Sequence, residues 1–413
     1  MKNLKHVALI SGLVSSLVFL GNVKQPVALA GWLDSLKDSL QRGSRKFSIQ
    51  EIELEPQKYC IEYYQKREFN LASLACSLAA KRDPSFYYYT AMIDYWRGSI
   101  NLELLFGEFK KARQALETKQ DVESKQKLAK IYFVMGTLYE KYGPEARLVS
   151  GKDYRNVAMN YYEKAATLAE ETNEKNAKAL ALTRLGGYYV EKSDLEKAEM
   201  YLQKAVKAWE EVKETAEFPK VWIEYERIEF YYNLGKLAYK KKNYTEAEEN
   251  FKKALDIARK HFPEKLPEYW NSFGVWLYRM GKYDEAEEYI KKAINRVELE
   301  FKKQEQEGRR ISTDKLENLA IWYENLAEVY IKKNDLEQAK KSLEQVIKIC
   351  EKIDRILYEQ ERKMGPSTWD VAAERLEIKR KKEANERKIK ELTEKINKAV
   401  EEKNKQKERG QLN

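Results

Sequence analysis

Apolar and small residues recur along the middle of the chain in a pattern that repeats itself. One copy runs Tyr231-Tyr232-Asn233-Leu234-Gly235-Lys236-Leu237-Ala238-Tyr239 and continues through Ala247, Phe251 and Ala254. A second runs Trp270-Asn271-Ser272-Phe273-Gly274-Val275-Trp276-Leu277-Tyr278 and continues through Ala286, Ile290 and Ala293. In both, a large residue precedes Gly by four positions, Ala follows twelve later, a bulky apolar residue four after that, and Ala three after that. Such spacing predicts two helices joined by a polar corner, with small residues where the helix axes come close. The corners are marked by Asp194, Asn243 with Thr245, Asp284, and Asn334 with Asp335, residue types that accept hydrogen bonds from the first free N–H groups of a helix.

Three more copies fit the same template. One holds Leu182, Gly186, Ala198, Leu202 and Ala205. Another holds Tyr323, Ala327, Ala339, Leu343 and Val346. The third holds Tyr132, Gly136, Ala158, Tyr162 and Ala165, with a longer corner over 141–153 marked by Gly143-Pro144 and Gly151. At these residues the chain resembles the tetratricopeptide repeat family, whose unit is a helix–turn–helix of roughly 34 residues. The spacers exceed that length and are similar to the extended repeats of the kinesin light chain type. The resemblance implies an all-α fold, a right-handed superhelical solenoid of antiparallel helix pairs. Gly136, Gly186, Gly235, Gly274, Ala198, Ala247, Ala286 and Ala339 are its expected structural positions.

Around that array the chain divides as follows. Residues 1–30 read as an export signal: Lys2 and Lys5, an apolar stretch from Val7 to Leu20, then Ala28-Leu29-Ala30 as a cleavage site. The mature protein is then expected outside the cytoplasm, most simply in a periplasm; the alternative is an uncleaved N-terminus that anchors the chain in an inner membrane. Residues 31–57 form an amphipathic segment and connector, with Trp32, Leu33, Leu36 and Leu40 at helical spacing. Residues 58–120 hold degenerate repeats, 121–364 about five repeats with long spacers, and 365–413 a charged helix or tail behind Gly365-Pro366. The tail carries a thin apolar stripe, Leu376, Ile389, Leu392, Ile396 and Val400. It reads first as a solvent-exposed helix, with a coiled coil or partner helix as the alternative.

In the degenerate repeat Cys60 takes the Gly position and Cys76 the bulky position, so the two lie on facing helices. In an oxidising compartment they are candidates for a disulfide. Cys350 has no partner in this register. The formal net charge of +10 is spread over a chain that is 35% charged with both signs interleaved, which reads as solvated surface and not as a nucleic-acid footprint. The chain has two histidines, His6 and His261, and shows no Gly-rich phosphate loop, nucleophile elbow or metal-ligand spacing. A catalytic role, a cofactor and a metal are therefore not expected.

The family resemblance places function on the face lined by first helices. The matching residues include Arg184, Asn233, Lys236, Tyr239, Lys240, Tyr278, Arg279, Asn325 and Lys332. Asn233 and Asn325 carry donor and acceptor together, as a peptide backbone requires. The Lys and Arg residues favour acidic segments, and the tyrosines offer rigid contact area. The expected function is an exported scaffold that binds a peptide or helix of a protein partner in a cell-envelope assembly. Two alternatives stay open. One is self-association through the terminal helices, with membrane-surface contact there. The other is a non-catalytic accessory subunit of a partner enzyme.

Overall fold

A computed structural model describes residues 49–98, 101–150, 153–364 and 369–410. Residues 1–30, expected to be an export signal, and the greater part of the 31–57 segment lie outside them. The described residues form α1 (Ile49–Leu54), α2 (Pro56–Gln65), α3 (Phe69–Arg82), α4 (Tyr87–Trp96), α5 (Leu102–Glu117), α6 (Val122–Ser150), α7 (Tyr154–Glu171), α8 (Lys175–Glu191), α9 (Leu195–Trp209), α10 (Lys220–Lys240), α11 (Tyr244–His261), α12 (Leu266–Arg279), α13 (Tyr283–Gln306), α14 (Thr313–Lys332), α15 (Leu336–Met364) and α16 (Trp369–Gly410). The fold is all-helical. None of the described helices is long and apolar enough to cross a membrane.

Two compact units emerge. Among the described residues, the first comprises those from 49 to 181 and Val212–Phe218; the second comprises Leu182–Glu211 and those from 219 to 410.

In the first unit α2 pairs with α3, α4 with α5, and α6 with α7. The Gly/bulky relation recurs here: a Cβ at Gly136 would stand 2.5 Å from the Tyr162 ring. Cys60 and Cys76 occupy the same two template positions and are joined by a disulfide, with Cα atoms 4.6 Å apart. The long corner of the third pair differs from the sequence expectation. It is helical as far as Ser150, and the break sits at Gly143, whose φ of 42° and ψ of −108° leave the helical region.

In the second unit α9 packs on the end of α8, α10 on α11, α12 on α13, and α14 on α15. A Cβ at Gly186 would stand 2.5 Å from Leu202, at Gly235 2.6 Å from Phe251, and at Gly274 2.6 Å from Ile290. Ala198, Ala247, Ala286 and Ala339 are fully buried, so the small residues do bring the paired helices together. The corners are built from side chains. Asp194 accepts from the Lys197 N–H, Asn243 from Glu246 and Asp335 from Gln338, which satisfies first-turn donors. Asp284 is no cap: it lies in the first turn of α13, and its carboxylate pairs with Lys333 at 2.6 Å.

The tail is also more than exposed helix. α16 packs along α15 and reaches α14, burying Ile378, Leu392 and Asn385. Arg375 bridges Asp354 and Glu361, and Asn385 donates to Glu324 at 2.9 Å. The apolar stripe is thin because ion pairs supply much of the contact. Cys350 is buried near this helix, and desolvation pushes its thiol up to about 11, so it stays protonated.

Candidate peptide-binding faces

Of the residues expected on the binding face of the second unit, several serve its packing instead. Arg184 on α8 grips Glu226 on α10 through both carboxylate oxygens, at 2.7 and 2.8 Å from Nη2, with Nε at 3.2 Å. Glu226 is buried, so this guanidinium neutralises an internal charge. Asn233 is buried too. Its amide donates to the Thr183 carbonyl at 3.5 Å and lies where a Cβ on Gly187 would be, 2.5 Å away. Asn325 donates to the Asn271 side chain at 3.2 Å. Arg184, Asn233 and Asn325, each two before the small position of its repeat, thus bond to a neighbouring repeat.

Of the remaining predicted residues, Tyr239 and Arg279 meet at Trp276. The Tyr239 ring stands 5.3 Å from Trp276, edge to face, and its hydroxyl donates to the Arg279 carbonyl at 3.3 Å. The Arg279 guanidinium lies over Trp276 at 4.7 Å. The Tyr278 ring lies tilted against Tyr283 with centroids 5.8 Å apart, and partial burial raises its phenol above the usual range, with the Glu328 carboxylate adding to it. Lys240 reaches Ser193 at 2.7 Å, Lys236 comes within 3.9 Å of Glu191, and Lys332 is exposed. Trp276 is the member that spacing alone did not single out. It sits two after Gly274, a position read only as part of the template.

The family profile of the tetratricopeptide repeat matches residues 226–298, and a second profile of the same repeat matches 179–208 and 323–353. The repeats are tetratricopeptide repeats. The TPR chain is 28% identical over 130 residues to the regulatory protein RapG of Bacillus subtilis (strain 168), which covers 31% of this chain and 32% of that protein. It thus spans about a third of that relative's length. Among solved structures it is similar to aspartyl phosphate phosphatase F from Bacillus subtilis, at 18% identity and a TM-score of 0.42 over 76% of this chain and 87% of that one. It is also similar to a Rap protein complexed with Competence and Sporulation Factor, at 17% identity and a TM-score of 0.41 over 87% and 92%.

One face of the first unit is occupied by the chain itself. The non-helical stretch Val212–Phe218 runs over α6 and α8. Asn176 on α8 is buried and holds Lys213 by its backbone: Nδ2 donates to the carbonyl at 2.7 Å, and the Lys213 N–H donates to Oδ1 at 3.1 Å. Arg67, in the corner after α2, donates to the Thr215 carbonyl at 2.9 Å and to the Glu214 carboxylate at 3.0 Å. Lys130 stands 3.7 Å from Glu217 and 3.8 Å from Glu174. Phe218 is fully buried beside Phe133, with ring centroids 6.3 Å apart. This is the paired donor–acceptor grip expected of an asparagine on a peptide, found on Asn176, which the template did not mark.

Proposed function

We propose that this TPR chain is an extracytoplasmic scaffold that holds a segment of a protein partner on the binding face of its second unit. The observation that carries the reading is the cluster of Tyr239, Trp276 and Arg279 on successive first helices, with a guanidinium lying over an indole. Aromatic and Arg side chains of this kind, rigid and half-exposed, supply most of the energy at protein interfaces. Lys240 and Lys332 at its margin favour an acidic partner segment. The Cys60–Cys76 disulfide supports a location outside the cytoplasm, since such bonds persist in oxidising compartments. With the N-terminal signal sequence it favours a role in a cell-envelope assembly, the chain acting by binding and not by catalysis.

The test is photocrosslinking capture from an envelope fraction. It compares the native chain with a variant carrying Lys240→Ala, Tyr278→Ala and Arg279→Ala. A partner captured by the native chain and lost from the variant, with the helical circular dichroism unchanged, supports the reading. Equal capture by both removes the face from consideration.

A further inference from the structure

The stretch Val212–Phe218 is not a minimal connector. It departs from the end of α9, crosses residues of α2, α4, α6 and α8, and returns to start α10. Its contacts divide by chemistry. Asn176 and Arg67 read main-chain carbonyl and N–H groups, which any extended segment carries. Arg67 and Lys130 read carboxylates, those of Glu214 and Glu217. Phe133 reads an aromatic ring, that of Phe218. Backbone clamps together with side-chain pockets are the attributes of a peptide site.

The fit of this segment is incomplete. The hydroxyls of Tyr64 on α2 and Tyr88 on α4 are buried without a hydrogen-bond partner among the described residues. Both phenols are held neutral by burial, with the Glu217 carboxylate adding to the effect, so both are donors in want of an acceptor. Lys130 is shared by two largely buried carboxylates, Glu174 and Glu217. A segment that brought an acceptor to the two tyrosines would fit better than the chain's own.

We propose that this face is a peptide-binding site closed in cis by Val212–Phe218. Its external ligand is an extended acidic segment of another protein with the pattern Glu-x-x-Glu-aromatic seen in Glu214, Glu217 and Phe218. The tethered segment is present at high effective concentration and lowers the apparent affinity for a rival by the fraction of time the face is open. The proposal is independent of the partner face on the second unit, which involves none of these residues.

The test uses a fluorescein-labelled synthetic peptide of Glu211–Pro219 and the full chain, read by fluorescence polarisation. The loop variant Glu214→Ala/Phe218→Ala should bind the peptide at least tenfold more tightly than the native chain. Adding Asn176→Ala to it should abolish binding. A peptide of the same composition in scrambled order should not compete. Equal binding by native chain and loop variant, no binding by either, or equal binding of the scrambled peptide overturns the proposal. Hydrogen exchange on the native chain covers the case of a loop variant that misfolds. Excess unlabelled peptide should speed exchange of the Lys213 amide, which donates to Asn176; unchanged exchange at saturating peptide overturns it equally.

Discussion

Gly235 lies against the ring of Phe251: a Cβ added there would sit 2.6 Å from Cε1 of a phenyl that is itself fully buried. Alanine in place of a mid-helix glycine ordinarily gains about 1 kcal/mol of helix propensity. Overpacking a closed core costs about 1–3 kcal/mol, and the ring is already stacked on Trp276 with centroids 4.7 Å apart. Gly235→Ala is therefore expected to lower stability by up to about 2 kcal/mol in urea denaturation. Gly235→Ala/Phe251→Leu should recover part of it. An unchanged midpoint for the single variant would show that the ring yields freely.

The Arg184–Glu226 pair predicts an asymmetry. Removing one partner leaves an uncompensated buried charge, so Arg184→Met should destabilise by about 3–5 kcal/mol. Arg184→Met/Glu226→Leu replaces the pair with apolar volume and should return to within about 1 kcal/mol of the native chain. If the double variant is as unstable as the single one, the pair does more than neutralise itself.

The disulfide closes a short loop, its cysteines being 16 residues apart in sequence. A cross-link of that span stabilises by about 3 kcal/mol through the unfolded chain. Cys60→Ala/Cys76→Ala should lower the melting temperature, and dithiothreitol should lower that of the native chain while leaving the variant unmoved. A native chain insensitive to reductant, with two titratable thiols after unfolding, would contradict the bond.

Glu108 on α5 gives a pH dependence. Burial, with the Asp94 carboxylate adding to it, raises its carboxyl from 4.5 to about 7. The folded state thus holds this proton more tightly than the unfolded chain does. Its contribution favours folding at low pH and is lost as pH rises from about 4.5 to about 7, by up to about 3 kcal/mol. Glu108→Gln should flatten the fall in melting temperature between pH 5 and pH 8. Parallel pH profiles for variant and native chain would assign the fall to other groups.

The helix pairs were legible because one relation, a small residue against a bulky one, leaves the same spacing in every copy, with glycine in four of the five. Gly186 with Leu202, Gly235 with Phe251 and Gly274 with Ile290 all show it. Cys60 with Cys76 could be placed by that register even though neither residue is typical of it. Contacts between repeats leave no such trace. Asn233 and Arg184 were read as groove residues because spacing fixes the side of a helix and not what the next helix brings. Glu226 lies 42 positions after Arg184, in a spacer with no template position. Asn176 was missed for the same reason, since its ligand is a stretch of this chain that carries no periodicity. The packing of α16 was underestimated because Ile378 and Leu392 are sparse, while Arg375, Lys382 and Asn385 make contacts that a hydrophobic pattern does not register.

The α16 helix has a consequence for growth. A stack of like units is in effect a polymer, and its last unit presents the same adhesive surface that every earlier unit has already used. Left bare, that surface invites a second molecule to add end on, then a third, as head-to-tail contacts do when no rotation closes them into a ring. Here Ile378, Leu392 and Asn385 lie on the α14–α15 pair and are bordered by charge at Arg375 and Lys382. The α16 helix covers that surface of the α14–α15 pair within the molecule and turns a charged back to the solvent.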